Sequence, residues 1–343
     1  MRIVLELLKE NIKSNVENIY KKAKKPIIAV VKANAYGMGS VEVSKVLDDS
    51  PYVKYFAVAC VEEAVELREA KVKKPILVLG GILCQEDVEI ITHYDIIPVI
   101  SSDYQFEMIK DKNIDFHVKI DTGMGRLGLF DLKEDIAFHP NLKGILTHLA
   151  SPLDKDYSFY QINKFKDILK SLKRKDLEIH LQSSAGLMYE LDFTTSVRIG
   201  LAIYGEKPYD SFEVPIKPIY RLRAKVISLK AFKKGDKISY GGTYTLQKDA
   251  IIGVVSMGYA DGIPKPLANK WYFDFNGNKL PIVGAITMDM AMFELPKDVN
   301  IKIGDYVDFV NEQNTFSMAS KIVKTIPYEL MCRIGKRVKR VVV

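Results

Sequence analysis

Lys32 directly follows an apolar run at positions 27–31, a position in which a lysine side chain can take part in catalysis. Such a run is typical of a strand buried on both faces. A lysine desolvated at the end of a strand can have a lowered pKa, which suits it to Schiff-base formation. Tyr36 follows four residues later, within reach of the phosphate of a cofactor held by that lysine. A strand that ends in a solvated lysine is the plainer alternative.

A second string of interest, Lys-Ile-Asp-Thr-Gly-Met-Gly-Arg-Leu-Gly, occupies positions 119–128. It contains a literal Gly-x-Gly-x-x-Gly after an expected strand, which taken alone suggests a dinucleotide site. The phosphate-binding version of that motif needs a helix to begin inside it, and no clear helical pattern starts there. The motif is therefore weak evidence for a dinucleotide.

The string Val-Lys-Ala-Asn-Ala-Tyr-Gly-Met-Gly at 31–39 resembles the lysine motif of the alanine racemases, and the string at 119–128 resembles a second signature of that family. Five such separated motifs occur in order, so the resemblance spans nearly the whole chain. It implies pyridoxal 5'-phosphate bound as an aldimine to Lys32, with Lys32 also acting as a catalytic base.

The resemblance also assigns residues around that lysine. Arg126 corresponds to the arginine that positions the substrate carboxylate, and Lys119 to a lysine that is often carbamylated. A carbamate would orient Arg126 through paired hydrogen bonds; an ordinary barrel lysine paired with a carboxylate is the alternative, and both stay open. The implied cofactor-binding residues are Lys32, Tyr36, His148, Ser184, Arg198, Gly200, Leu201 and Tyr328.

Arg198 matches the arginine that faces the pyridine nitrogen of the cofactor, and His148 and His180 match two hydrogen-bonded histidines. A guanidinium does not give up its proton, so that nitrogen would stay unprotonated and the cofactor would be a weaker electron sink. A short-lived carbanion favours return of the proton over transamination. For a single histidine, a structural role is the commoner alternative.

Racemisation removes a proton from one face of Cα and returns one to the other, which two bases on opposite faces achieve without movement. The string at 238–244 resembles the family segment that holds a catalytic tyrosine, here Tyr240. Tyr259 corresponds to a tyrosine that narrows the entrance, and the backbone of Met288 and Asp289 to one that meets the substrate carboxylate. Members of the family share this domain across a head-to-tail homodimer, which implies that Tyr240 and Met288 act on the partner's Lys32.

Two positions depart from the pattern of the family. Ser183 stands where many members have an asparagine, and Ala285 where they often have an arginine. Both changes predict a wider and less polar entrance, while the chemistry is expected to survive them.

The elements that must position these residues follow from hydrophobic patterning. Eight apolar runs alternate with helical stretches over roughly 200 residues, as in a (β/α)8 barrel; a doubly wound open sheet is the competing interpretation. The runs are 27–35, 55–61, 75–81, 96–101, 115–122, 142–150, 177–184 and 196–205, and the principal helices are expected at 11–22, 61–70, 87–93, 102–110 and 157–173.

The pattern changes from about residue 207, where prolines mark a linker. Short β-rich segments separated by turn residues follow at 224–229, 250–257, 279–283 and 306–310. The predicted domains are an N-terminal barrel at 1–206 and a C-terminal, mainly β domain at 207–343. The first strand, about residues 1–8, is open to joining the second domain.

Composition limits the remaining classes of function. The net charge is +7, and the basic runs carry no interleaved aromatic residues, so nucleic acid is not expected as a partner. No stretch has the apolar length of a membrane span, and the first residues lack the apolar region of a signal peptide. The three cysteines are isolated and predict neither disulfides nor a metal site. A cytoplasmic protein is expected.

The function implied by the resemblance is interconversion of L-alanine and D-alanine, supplying D-alanine for peptidoglycan. A racemase of broader amino-acid range is the nearest alternative. A decarboxylase that shares the fold is disfavoured, because no cysteine–aspartate pair accompanies a comparable substrate motif. A non-catalytic pyridoxal-phosphate-binding protein would resemble the barrel alone, so the second domain with Tyr240 argues against it.

Overall fold

The chain begins with strand β1 (Ile3–Leu7) and helix α1 (Lys9–Ala23), and the computed structural model describes residues 1–172 and 174–343. Eight short strands follow: β2 (Ile27–Val30), β3 (Val53–Val58), β4 (Ile76–Val78), β5 (Ile97–Ile100), β6 (Phe116–Lys119), β7 (Leu142–Leu146), β8 (Glu178–His180) and β9 (Val197–Ile199). Each lies within or overlaps one of the predicted apolar runs. β2 is shorter than the predicted run at 27–35: it ends at Val30, and Lys32 lies beyond its end.

These eight strands form a barrel. Each pairs in parallel with its neighbour in the chain, and β2 also pairs with β9. A parallel bridge between His180 and Ser196 joins the remaining pair of edges. Strands such as β2 and β4 are buried at every position, as apolar runs enclosed by helices should be. The prediction of a barrel is therefore confirmed, and the open doubly wound sheet is wrong.

Helical segments connect the strands. They are α2 (Lys32–Tyr36), α3 (Ser40–Leu47), α4 (Val61–Glu69), α5 (Gln85–His93), α6 (Asp103–Ile109), α7 (Glu134–Ala137) and α8 (Lys155–Leu172). In α1, the buried apolar residues Ile12, Val16 and Ile19 recur at helical spacing. The predicted last residue of α8, position 173, lies outside the described residues. No helix begins inside the glycine-rich string at 123–128, as expected.

The remainder of the chain is mainly β-structure. Its strands are β10 (Tyr220–Phe232), β11 (Lys237–Ile238), β12 (Tyr244–Thr245), β13 (Ala250–Val255), β14 (Tyr272–Phe275), β15 (Asn278–Pro281), β16 (Ala291–Glu294), β17 (Tyr306–Val310) and β18 (Lys339–Val342). Two helices, α9 (Phe316–Val323) and α10 (Pro327–Cys332), precede the last strand. β1 pairs with β10 and β18, so the N-terminal strand lies in this sheet.

Contacts between α10 and the segment that follows β2 connect the two parts of the chain beside Lys32. Gly37 has a φ of 80°, and a Cβ at this position would overlap the carbonyl oxygen of Met331. A side chain there would push α10 away from the barrel. No helix in the described part of the chain is long and apolar enough to cross a membrane.

Candidate active site

A cleft of about 620 Å³ opens at the C-terminal ends of the barrel strands, where active sites of such barrels lie. Most of the predicted site residues line it: Lys32, Tyr36, Lys119, Arg126, His148, Ser184, Arg198, Gly200, Leu201 and Tyr328. They come from several strand ends and from α10. The fold therefore assembles residues that are up to about three hundred positions apart in the sequence.

Lys32 begins a turn with an unusual backbone. The next four residues, at positions 33–36, have φ values between 52° and 55°. Left-handed geometry costs non-glycine residues about 1–2 kcal/mol each, so surrounding contacts must hold it. The carboxylate of Glu63 accepts hydrogen bonds from the N–H of Ala33 at 2.6 Å and of Ala59 at 2.8 Å. From the other side, Arg340 donates to the carbonyl of Gly37 at 2.9 Å.

The cleft is rich in positive charge. Burial, together with the charges of Arg126 and Arg198, lowers the pKa of Lys32. The same causes lower the pKa of Lys119, which is only 6% exposed, to about 8. Among the described residues, no carboxylate lines the cleft. The arrangement suits a ligand with anionic groups, and it raises the fraction of each lysine that is a neutral, nucleophilic amine.

Arg198 is buried and holds two histidines. One terminal nitrogen donates to Nδ1 of His180 at 2.9 Å, and the other donates to Nδ1 of His148 at 2.9 Å and to the carbonyl of Thr147 at 3.0 Å. Burial lowers the pKa of Arg198 to about 10, so the guanidinium stays charged at neutral pH. Burial and the charge of Arg198 lower the pKa of His148 to about 3. The arginine therefore faces two neutral imidazoles.

Arg126 is placed by a loop that wraps around Asp121. The carboxylate of Asp121 accepts hydrogen bonds from four successive backbone N–H groups, those of Gly123, Met124, Gly125 and Arg126, at 2.7–3.2 Å. Burial alone would raise the pKa of Asp121, but these donors hold it below its usual value. The hydroxyl of Tyr157 donates to the carbonyl of Gly123 at 2.6 Å and fixes the loop from α8.

One wall of the cleft presents small groups and hydroxyls. Gly200 lies so close to the Tyr36 hydroxyl that a Cβ at position 200 would overlap it. The rings of Tyr36 and Tyr328 are 5.5 Å apart. The hydroxyl of Ser184 accepts the N–H of Ala202 at 3.2 Å, which leaves its own hydrogen free to donate. Burial raises the pKa of Tyr36, so its hydroxyl remains a donor.

The other predicted residues do not line this cleft. His180 lies beneath Arg198 inside the barrel, and Asp289 pairs with Arg337 at 2.7 Å. Tyr240, Met288 and Tyr259 have exposed side chains, and Tyr240 lines a separate depression of about 370 Å³. A single chain therefore does not bring Tyr240 to Lys32.

Comparison with known proteins decides the family. Models of the alanine racemase N-terminal and C-terminal domains match residues 8–208 and 219–342. An alanine racemase from Aquifex pyrophilus is 48% identical over 342 residues, covering 100% of this chain and 98% of the relative. The chain belongs to the alanine racemase family. This is a family of isomerases.

Solved alanine racemases share the whole architecture. One from Clostridium difficile 630 superimposes with a TM-score of 0.92 at 31% identity, covering 100% of this chain and 96% of that one. Another, from Bartonella henselae, has a TM-score of 0.89 at 28% identity, with 100% of both chains covered. The latter structure is described with covalently bound pyridoxal phosphate.

Two residues of this alanine racemase fold were missed by sequence reasoning. Glu63 fixes the Lys32 turn, but in the sequence it resembles any solvent-facing glutamate of α4. His117 is fully buried and lies 3.0 Å from His180. The sequence did hold a signal for it, because His117 is two residues before Lys119 and alternation places both on one face of β6.

Proposed function

We propose that this chain is an alanine racemase that interconverts L-alanine and D-alanine with pyridoxal 5'-phosphate bound to Lys32. The observation that carries the proposal is a lysine with a lowered pKa in a cleft that gathers three further cations, Lys119, Arg126 and Arg198. This charge fits a phosphorylated cofactor and the carboxylate of an amino acid. The family relationship supports the same reaction.

The residues of the cleft fit the cofactor. Lys32 would hold it covalently, and Tyr36, Ser184 and Tyr328, with the backbone of Gly200 and Leu201, would bind its phosphate. When bound, pyridoxal phosphate withdraws electrons from Cα of the amino acid and makes its proton removable. His148, which lines the cleft, would help to bind the cofactor, while Arg198 would face the ring nitrogen and keep it unprotonated.

Two bases would move the proton. Lys32 would serve one face of Cα, and Tyr240 the opposite face. Arg126 and the backbone at Met288 and Asp289 would hold the substrate carboxylate, and Tyr259 would narrow the entrance. Because Tyr240 and Lys32 are not in the same cleft of one chain, Tyr240 and Met288 would come from a second copy in a homodimer.

Exposed side chains support such a homodimer. Tyr240 is 78% exposed and Met288 54%, both in the mainly β part of the chain. Leu127, at the cleft, is 42% exposed. Apolar groups exposed on both surfaces are what a shared interface would cover. The D-alanine would supply peptidoglycan precursors in the cytoplasm.

Lys119 would act on Arg126 as a carbamate. Burial and the neighbouring arginines lower the pKa of Lys119 to about 8, so about half of the amine is neutral near pH 8 and can add carbon dioxide. The resulting anion would pair with the Arg126 guanidinium, since no carboxylate lines the cleft among the described residues. An unmodified Lys119 would instead add to the positive charge of the cleft.

Incubation of the purified protein with a panel of single amino acids, followed by chiral separation, tests the proposal. We expect D-alanine from L-alanine, and weaker turnover of serine or 2-aminobutyrate, since one methylene in a pocket is worth only about 1–3 kcal/mol. Lys32→Ala should abolish turnover together with the borohydride-reducible bond to the cofactor. No racemisation of any amino acid, or a reducible bond to another lysine in Lys32→Ala, would overturn the proposal.

A further inference from the structure

The barrel interior contains a further histidine, His117 on β6, that extends the hydrogen bonds beneath Arg198. Nδ1 of His117 lies 3.0 Å from Nε2 of His180, and Nδ1 of His180 lies 2.9 Å from a terminal nitrogen of Arg198. Both imidazoles are completely buried. The series His148, Arg198, His180, His117, called the imidazole chain below, therefore runs from the cleft into the barrel.

The positions of the protons on these histidine rings follow from Arg198, because a guanidinium can only donate hydrogen bonds. Nδ1 of His148 and Nδ1 of His180 must accept, so each of these rings carries its proton on Nε2. The Nε2–H of His180 then donates to Nδ1 of His117, which places the proton of His117 on Nε2 as well. Burial lowers the pKa of His117 to about 4 and that of His180 well below its usual value, so both rings are neutral at physiological pH.

The surroundings of His117 show that its ring is specifically accommodated. Gly144 on the neighbouring strand leaves the space for it, because a Cβ there would overlap the imidazole. The ring of Tyr55 packs against it edge-on at 5.8 Å. Nε2 of His117 has no hydrogen-bond partner in the described part of the chain. A buried donor without a partner costs stability, and what His117 provides in return is the acceptor for His180.

We propose that His117 is a positioning residue that fixes the tautomer of His180 and thereby the direction of the Arg198 guanidinium. The inference rests on the proposed role of Arg198 at the cofactor ring. Without an acceptor at His117, the Nε2–H of His180 is a buried donor without a partner. The opposite tautomer would aim an N–H of His180 at an N–H of Arg198. The first result leaves a buried donor unpaired and so favours the second, and the second removes the hydrogen bond that supports the guanidinium, whose other contact with His180 is the carbonyl at 3.4 Å.

Three variants separate this role from simple packing. His117→Gln offers an amide oxygen that can accept the hydrogen bond, whereas His117→Phe fills the space without an acceptor. His139→Phe is the control for exchanging a histidine of the same barrel for phenylalanine, because His139 packs against Phe116 at 5.3 Å but lies outside the imidazole chain. Two readouts apply to the cofactor-loaded protein: long-range nitrogen–proton NMR spectra of ¹⁵N-histidine-labelled samples, and the dissociation constant for pyridoxal phosphate.

We expect His180 and His117 to carry their protons on Nε2 in the wild type, with the His180 signals retained in His117→Gln and His139→Phe but altered in His117→Phe. His117→Phe should weaken cofactor binding roughly ten- to hundredfold, the effect of one unpaired buried polar group. Protonation of His180 at Nδ1, or a His117→Phe protein that matches His139→Phe in both readouts, would overturn the proposal. If His117→Phe does not fold, the NMR spectrum of the wild type is the test: a proton on Nε2 of His180 supports the proposal, and a proton on Nδ1 contradicts it. A wild type that fails to racemise alanine contradicts the proposed function but leaves the NMR result unchanged.

Discussion

At the scale of single residues, Lys119 makes the site sensitive to pH. Its pKa of about 8 lies below the usual value for lysine, so the neutral amine becomes abundant as pH rises through 8 and is scarce at pH 6. Carbamylation by the carbon dioxide in equilibrium with bicarbonate should follow that fraction. We expect a carbamate signal in ¹³C NMR with labelled bicarbonate that grows from pH 6 to pH 8.5 and is absent in Lys119→Gln. A signal at pH 8.5 that persists in Lys119→Gln would assign the carbamate elsewhere.

Tyr240 and Lys32 should differ in which enantiomer they serve. In the proposed two-base scheme, Tyr240→Phe would remove the base on one face of Cα, while Lys32 would still act on the other. Exchange of the α-proton into deuterated solvent should therefore fall by about 10²–10⁴-fold from L-alanine, the usual contribution of general-base catalysis, and much less from D-alanine. Mass spectrometry of each enantiomer measures both rates. Equal slowing from the two enantiomers would indicate a single mobile base.

At the scale of elements, the left-handed turn after β2 depends on Glu63. Removing its carboxylate leaves the N–H groups of Ala33 and Ala59 without their acceptor. Glu63→Ala should lower the free energy of unfolding by about 1–3 kcal/mol, since hydrogen bonds to a charged group are involved and the site is partly exposed. Urea denaturation measures this loss, and hydrogen exchange at Ala33 should accelerate.

Glu62→Ala is the control for that change. Glu62 is exposed on the same helix and accepts no hydrogen bond from the turn. It should leave unfolding and exchange at Ala33 close to the wild type. If the two variants behave alike, contacts from the α10 side, such as Arg340 with Gly37, are sufficient to hold the turn.

The eight barrel strands were predictable because strands buried on both faces are apolar at nearly every position. The turn at 33–36 was not, because Ala-Asn-Ala-Tyr has no local preference for left-handed geometry beyond that of Asn34. Its conformation is imposed by Glu63, Met331 and Arg340, which are distant in sequence. Contacts between residues that are distant in sequence produce no local sequence pattern from which the turn could be predicted.

At the scale of the whole molecule, the motifs located the cleft but not the complete site. Lys32, Lys119 and Arg198 converge because strand ends meet at one face of a barrel. Tyr240 carries a recognisable motif, yet it lies in a separate depression of the same chain. A sequence pattern does not indicate whether Tyr240 acts in the active site of its own subunit or in that of a partner subunit. The sharing of the site between subunits therefore stays a proposal.

Mixed dimers test that proposal most directly. Lys32→Ala and Tyr240→Phe proteins should each be inactive alone, but co-expression should restore about a quarter of wild-type alanine racemisation. Random pairing makes about half of the dimers mixed, and the two-fold symmetry gives each mixed dimer one site with both residues intact. Differently tagged subunits allow the mixed dimers to be purified before the assay. Mixed dimers that racemise alanine at about half the wild-type rate confirm the shared site, whereas isolated mixed dimers without activity would show that each site is built within one chain.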